Sequence, residues 1–258
     1  MSATIDAPLV EAVFEVRWGT PVSSNQGIPE FKFDEEDSTL FAGLFRAAAK
    51  ADFPIYRKIN ELVPPNFPYV VKHQFWSANN GWPCLQIGLG ILTVNQVNNG
   101  YIWKSFKSTC LKALEYLDKA HHLQLAGIPG IGVELRYQDA FPLKDGEGDS
   151  DFVSKRAQIT VVTPDAFLKS PSLQPVVSDH HIMFAVPVVI PKGVLLNQLD
   201  RGQVGGKAAF IQTTTVRSAD ALRPDFNLAS LATWLEQAHA VQKHAYETLI
   251  KPTHERSS

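Results

Sequence analysis

Between Pro8 and Trp18 the chain alternates with a period of two. Val10, Ala12, Phe14, Val16 and Trp18 fall on one side of an extended backbone, and Leu9, Glu11, Val13, Glu15 and Arg17 on the other. One apolar and one charged face predict a strand of an antiparallel sheet covered on a single side. The second face is then open to water, a ligand or another part of the protein. Further on, the acidic run Asp34-Glu35-Glu36-Asp37 precedes an apolar stripe of Leu40, Phe41, Leu44, Phe45 and Ala48, with Lys50 at its end. That charge order suits a helix dipole. Pro64, Pro65 and Pro68 break the chain; residues 69–76 read as a strand and Asn79-Asn80-Gly81 as its turn. Residues 84–89 alternate again, and a short extended piece ends at Asn95. A second amphipathic helix is expected over 103–121, with Phe106, Cys110, Leu114 and Leu117 on one side. Residues 131–137 then place Ile131, Val133, Leu135 and Tyr137 inward and Glu134 and Arg136 outward.

The acidic, glycine-rich stretch 144–151 marks a linker, taken as 144–155, between an N-terminal half (1–143) and a C-terminal half (156–258). The second half is expected to hold strands over 157–163, 181–190, 194–199 and 208–216. Arg223-Pro224-Asp225 leads into a long last helix with Leu228, Leu231, Trp234, Ala238, Val241, Ala245 and Leu249 on one face, ended by Pro252. Strands followed by a packing helix in each half predict an α+β protein. Its sheet would be curved and mainly antiparallel, with helices on one face and two similar halves, although no residue-level repeat is visible.

Composition narrows the function only a little. A chain of 258 residues can bury a substantial core, and 45% hydrophobic with 19% charged residues excludes wholesale disorder. A formal net charge of −2 provides no global attraction to nucleic acid or an anionic membrane. Cys84 and Cys110 lie among apolar neighbours and read as buried thiols, too few for a cysteine zinc site. No signal-peptide pattern opens the chain and no apolar run reaches membrane-spanning length, so a cytoplasmic protein without membrane contact is expected.

Catalytic signatures are missing. His180 and His181 are adjacent on a strand and point to opposite faces. His239 and His244 are about 140° apart around a helix, and His121-His122 sit at a helix C-terminus, where positive charge is favoured. Neither arrangement chelates a metal. Gly202, Gly205 and Gly206 lie between strands and read as a hairpin loop rather than a phosphate loop. No catalytic residue, metal ligand or cofactor is therefore assigned. The strongest constellation is the polar sheet face, with Glu11, Glu15, Arg17, Gln86, Glu134 and Arg136. These residues form either an ion-pair lattice or a groove in which the arginines grip phosphate or carboxylate. The acidic lining disfavours extended nucleic acid there. Trp18, Trp76, Trp82 and Trp103, with Lys72 and Arg136, could stack a base, but packing at the edge of a core is the simpler reading. Glu236, His239 and Lys243 are helical neighbours, and the apolar seam of their helix could serve as a dimer contact.

Several runs together resemble a sporadically distributed, functionally uncharacterised bacterial protein family. They are Pro8-Leu9-Val10-Glu11-Ala12-Val13-Phe14-Glu15-Val16-Arg17, Leu85-Gln86-Ile87-Gly88 with Thr93-Val94-Asn95, the helix start at Trp103, Leu135-Arg136-Tyr137, Leu199-Asp200, and the last helix with Trp234, His239 and Tyr246. The resemblance spans nearly the whole chain and implies a bacterial, intracellular accessory protein. It supplies no catalytic residue. The expectation is a non-enzymatic binding or regulatory protein that recognises a partner protein or a small anionic ligand through Glu11, Glu15, Arg17, Gln86, Glu134, Arg136 and His239. Its setting would be a bacterial defence or toxin–antitoxin locus, with a protein partner or a homodimer. The alternatives are a metal-independent enzyme acting on nucleotides or RNA, and a self-assembling structural component.

Overall fold

The computed structural model describes residues 9–22, 30–32, 38–64, 67–79, 81–97, 100–120, 130–162, 169, 172, 180–218 and 227–249. The protein is mixed α+β, built on an open nine-stranded antiparallel sheet. In chain order its elements are β1 (Leu9–Trp18), a small hairpin of β2 (Thr20–Val22) and β3 (Glu30–Lys32), and α1 (Ser38–Ala49). Next come β4 (Ile55–Lys58), β5 (His73–Trp76), β6 (Cys84–Gly88), β7 (Ile91–Val97), α2 (Trp103–Ala120) and β8 (Ile131–Pro142). A single turn, α3 (Asp149–Asp151), runs into a π-turn at Phe152–Arg156, followed by β9 (His181–Val188), β10 (Gly193–Val204), β11 (Lys207–Ser218) and α4 (Leu228–Leu249). The strand order is β4-β5-β6-β7-β1-β8-β11-β10-β9.

β1 lies at the centre, and its alternation explains why. Ala12, Phe14, Val16 and Trp18 are at most 3% exposed and share one cluster with Phe41 and Phe45 of α1, Phe106, Leu114 and Leu117 of α2, and Leu231, Leu235 and Ala238 of α4. The start of the strand departs from the sequence pattern. A β-bulge between Leu9 and Glu11 shifts the register against β8 and exchanges the two faces. Leu9, expected on the charged side, is buried in the cluster, and Val10, expected in the core, is exposed. A one-residue slip has this effect because the side-chain period is two.

Other expectations change in detail. Only His73–Trp76 of the 69–76 segment pairs in the sheet, because Tyr69 has a positive φ of 59° and the chain turns there. β4, unforeseen in the sequence, supplies the edge beyond β5. The strand expected over 157–163 is absent from its described part, 157–162, where Gln158 has a φ of 53° after the π-turn. The 144–155 segment buries Phe152 and Val153 in a second cluster with Phe141, Leu199 and Phe210. β8 pairs with both β1 and β11, so hydrogen bonding runs across the sheet without a break. Gly205 and Gly206, with φ of 57° and 77°, form the two-residue turn between β10 and β11. α4 starts at a reciprocal cap, in which Ser230 N donates to Asn227 Oδ1 and Asn227 N to Ser230 Oγ. The acidic run 34–37 and the stretches 121–122 and 223–225 lie outside the described residues.

Candidate functional site

Strand register brings the expected polar set together. Glu15 lies level with Thr93 on one side and Glu134 on the other, and Glu134 is level with Arg217 of β11. Val13 faces Arg136, and Gln86 is level with Thr93. Glu11, Glu15, Arg17, Gln86, Glu134 and Arg136 thus share one side of the sheet. Their charges are absorbed within the chain. Arg17 Nε donates to Glu15 Oε1 at 2.6 Å, and Asn95 Nδ2 to Glu11 Oε1 at 2.8 Å. Arg217 Nε donates to Glu134 Oε2 at 2.7 Å, and Arg136 Nη1 lies 3.5 Å from Glu134 Oε1. Each carboxylate of the set is held by its own neighbours, as an ion-pair lattice requires. Arg217 was missed in the sequence because the β8–β11 register has no local signal.

His239 lies away from this lattice. It sits on α4, its ring stacked on Trp103 at 4.0 Å between centroids, and its Nδ1 is 3.0 Å from the Tyr137 hydroxyl. Tyr137 and Tyr101 hydroxyls are 2.7 Å apart. Glu236 accepts from Trp103 Nε1 at 3.1 Å and from Lys107 Nζ at 2.6 Å, which ties α4 to α2. Burial holds His239 below the usual imidazole range, opposed by the Glu236 charge and reinforced by Lys243. Burial likewise raises both tyrosines. The apolar seam of α4 is used internally: Leu231, Trp234, Leu235, Ala238 and Ala245 are all buried.

A polar layer accompanies this chain of hydrogen bonds. Asn197 Oδ1 accepts from Gln212 Nε2 at 2.8 Å and from Thr214 Oγ1 at 3.1 Å. Asp139 is level with Gln212 across the β8–β11 pair and only 4% exposed. Asp139 Oδ2 and Gln212 Oε1 have no hydrogen-bond partner among the described residues. Burial pushes the Asp139 carboxyl from 3.8 up to about 7.

The third feature is a pocket of about 330 Å³ between α1, β4, β5 and the turn after β4. Arg46, Lys58, Lys72 and His73 line it, with Glu61 the one acid among the described residues of the lining. The architecture follows from two unusual backbone positions. Gly88 allows the 69–72 segment to pass so close that an added Cβ would meet Val70 O at 1.9 Å. Asn60, with φ 51°, turns the chain after β4 and donates from Nδ2 to Val71 O at 2.8 Å. Lys72, only 6% exposed, donates from Nζ to Asn60 O at 3.2 Å and to Val63 O, so its charge is fixed in the floor. Arg46 lies over the Tyr56 ring at 4.3 Å, and Tyr56 Oη is 2.9 Å from His73 Nδ1. Arg46 and Lys58 have no carboxylate partner among the described residues. Burial lowers the His73 pKa first, followed by the Lys58 and Lys72 charges. The neutral imidazole is therefore favoured, and it lies in a positive surround.

Lys72, a candidate neighbour of a stacked base, is bound instead to main-chain carbonyls. Trp18 packs edge-on against Phe41 in the core, while Trp82 is 39% exposed. Cys84 and Cys110 are buried free thiols, and burial pushes Cys84 up to about 12 and Cys110 well up from its usual value. Among the described residues no His, Cys, Asp and Glu side chains group as a metal site, and no helix is long and apolar enough to cross a membrane. Comparison with protein-family models, curated proteins and solved structures found no match.

Proposed function

We propose that this is a non-enzymatic binding protein that takes a small oxyanion-bearing ligand, a phosphate or sulfate ester, in the pocket between α1 and β4–β5. The observation that carries the reading is the pair of cations without carboxylate partners among the described residues, Arg46 and Lys58, on a cavity whose floor holds Lys72. Arg46 and Lys58 are exposed at the rim and free to turn onto an anion, and charge-assisted hydrogen bonds to a phosphate are among the stronger polar contacts. The polar sheet face is less suited to that ligand, since Arg17, Arg136 and Arg217 already meet Glu15 and Glu134. A volume of about 330 Å³ suits a ligand of metabolite size.

The architecture we infer beneath this reading has its helices gathered on one face of the sheet. The cluster shared by α1, α2 and α4 with the inward residues of β1 supports it. Two related halves are supported by the β4–β7 run on one side of the β1–β8 pair and the β9–β11 run on the other.

The test is calorimetric titration with inorganic phosphate and with sulfate. Gly43 lines the pocket, and an added Cβ there meets nothing within 4 Å. Gly43→Glu should place a carboxylate at the mouth without disturbing the helix and abolish binding, while Gly43→Gln keeps it. Arg46→Ala should weaken binding about 10- to 100-fold, from the ~1.5–3 kcal/mol of a charged hydrogen bond. Equal titrations for wild type and Gly43→Glu would refute the assignment.

A further inference from the structure

We propose that the outer edge of β9 pairs with the same edge of a second copy, forming a two-fold dimer through a continuous antiparallel sheet. The two ends of the sheet are built differently. At one end β4 is four residues long and finishes with exposed Arg57 and Lys58, charges that discourage strand addition. At the other end β9 runs for eight residues, His181–Val188, and contains no Asp, Glu, Lys or Arg. Its inner side bonds β10 throughout, and its outer side has no partner among the described residues. Its single titratable side chain, His181, is engaged by Asp200 of the same chain.

Exposed apolar surface gathers at this end. Among the described residues, four of the fourteen exposed large apolar side chains fall within eight consecutive positions: Met183 at 65%, Val186 at 44%, Val189 at 84% and Ile190 at 65%. From His181 to Val186, ahead of Pro187, which has no N–H to offer, the edge is uncharged and apolar and is a template for another strand, since its outward N–H and C=O groups are otherwise satisfied only by water. The occupant follows from symmetry and charge. An antiparallel strand is complementary to itself about a two-fold axis, and an uncharged strand brings no like charges together across that axis. Because the opposite edge is short and cationic, pairing closes at two copies rather than growing into a filament. The contact leaves the α1–β4–β5 pocket free, so its failure and the failure of anion binding are separate results.

Sedimentation velocity of the full chain at tens of micromolar decides the matter, with Met183→Lys and Val186→Lys as edge variants. Both positions are exposed, and thermal unfolding of each variant checks that the fold is retained. The expected result is twice the chain mass for the wild type and the single chain mass for both variants, with at least a tenfold weaker association. A wild type at the single chain mass would overturn the proposal, because the edge would then await a foreign strand or none. A dimer surviving both substitutions, or a species larger than two copies, would overturn it equally.

Discussion

Replacing Asp139 by asparagine should remove the loss of stability that ionisation of this carboxyl causes as pH rises toward 7. Asp139 is 4% exposed, its Oδ2 lacks a partner among the described residues, and burial lifts its carboxyl from 3.8 to about 7. Facing it are neutral groups: Gln212 on the neighbouring strand, with the hydroxyls of Tyr101, Tyr137 and Tyr246 near enough to respond to its charge. A raised carboxyl pKa means that the folded state holds the proton more tightly than the unfolded chain. This stabilisation is complete below the unfolded value and is lost as pH rises to about 7. The rise from 3.8 to about 7 corresponds to ~4 kcal/mol. Asparagine cannot ionise, and its amide can donate to Gln212 Oε1. Urea unfolding at half-unit steps from pH 4 to 8 should give two curves that diverge as pH rises, the wild type losing stability relative to Asp139→Asn, while the contributions of His73 and His239 are common to both and cancel in the difference. The variant should be the more stable of the two at pH 8, by about 4 kcal/mol at most. Parallel curves would refute the reasoning, for they would show Asp139 ionised and solvated in the folded state.

Gly88→Ala should destabilise the protein and abolish sulfate binding together, because a Cβ at 1.9 Å from Val70 O forces the pocket floor outward; thermal unfolding should show a loss of about 1–3 kcal/mol. Arg217→Ala removes the closest cation from Glu134, whose side chain is 10% exposed, and should cost about 1–3 kcal/mol in urea unfolding at pH 7. Arg17→Ala, at a site 50% exposed, should cost less than about 1 kcal/mol in the same assay. Sulfate affinity, followed by calorimetry from pH 8 to 5.5, should rise as pH falls. The bound dianion favours protonated His73, whose free pKa is held below the usual range by burial and by Lys58 and Lys72.

The sequence was informative where one period dominated. α2 and α4 were legible because their apolar positions keep a helical spacing over many turns, and β1 because it alternates from Glu11 onward. The polar set Glu11, Glu15, Arg17, Glu134 and Arg136 followed from that alternation alone. A bulge has no sequence signature, so Leu9 and Val10 were assigned to the wrong faces. β4 is four residues on a sheet edge, too short for alternation to register. The β-branched run near 160 reads as extended, but the π-turn before it and the left-handed Gln158 divert the chain from the sheet. The pocket is assembled from Arg46 on α1, Lys58 on β4, and Lys72 and His73 at the start of β5. Only the density of cations in 57–58 and 72–73 hinted at it. Asp139 was hidden for a related reason: the groups around it, Gln212 on β11 and Tyr246 on α4, come from far along the chain.

An NMR titration of the histidine side chains with sulfate observes the pocket itself. The account predicts a saturable shift of the His73 imidazole and a rise in its pKa, with exposed His181, paired to Asp200 at the far end of the sheet, unmoved. A His73 signal that stays constant to high sulfate, or that moves only in step with His181, would contradict an anion site between α1 and β4–β5.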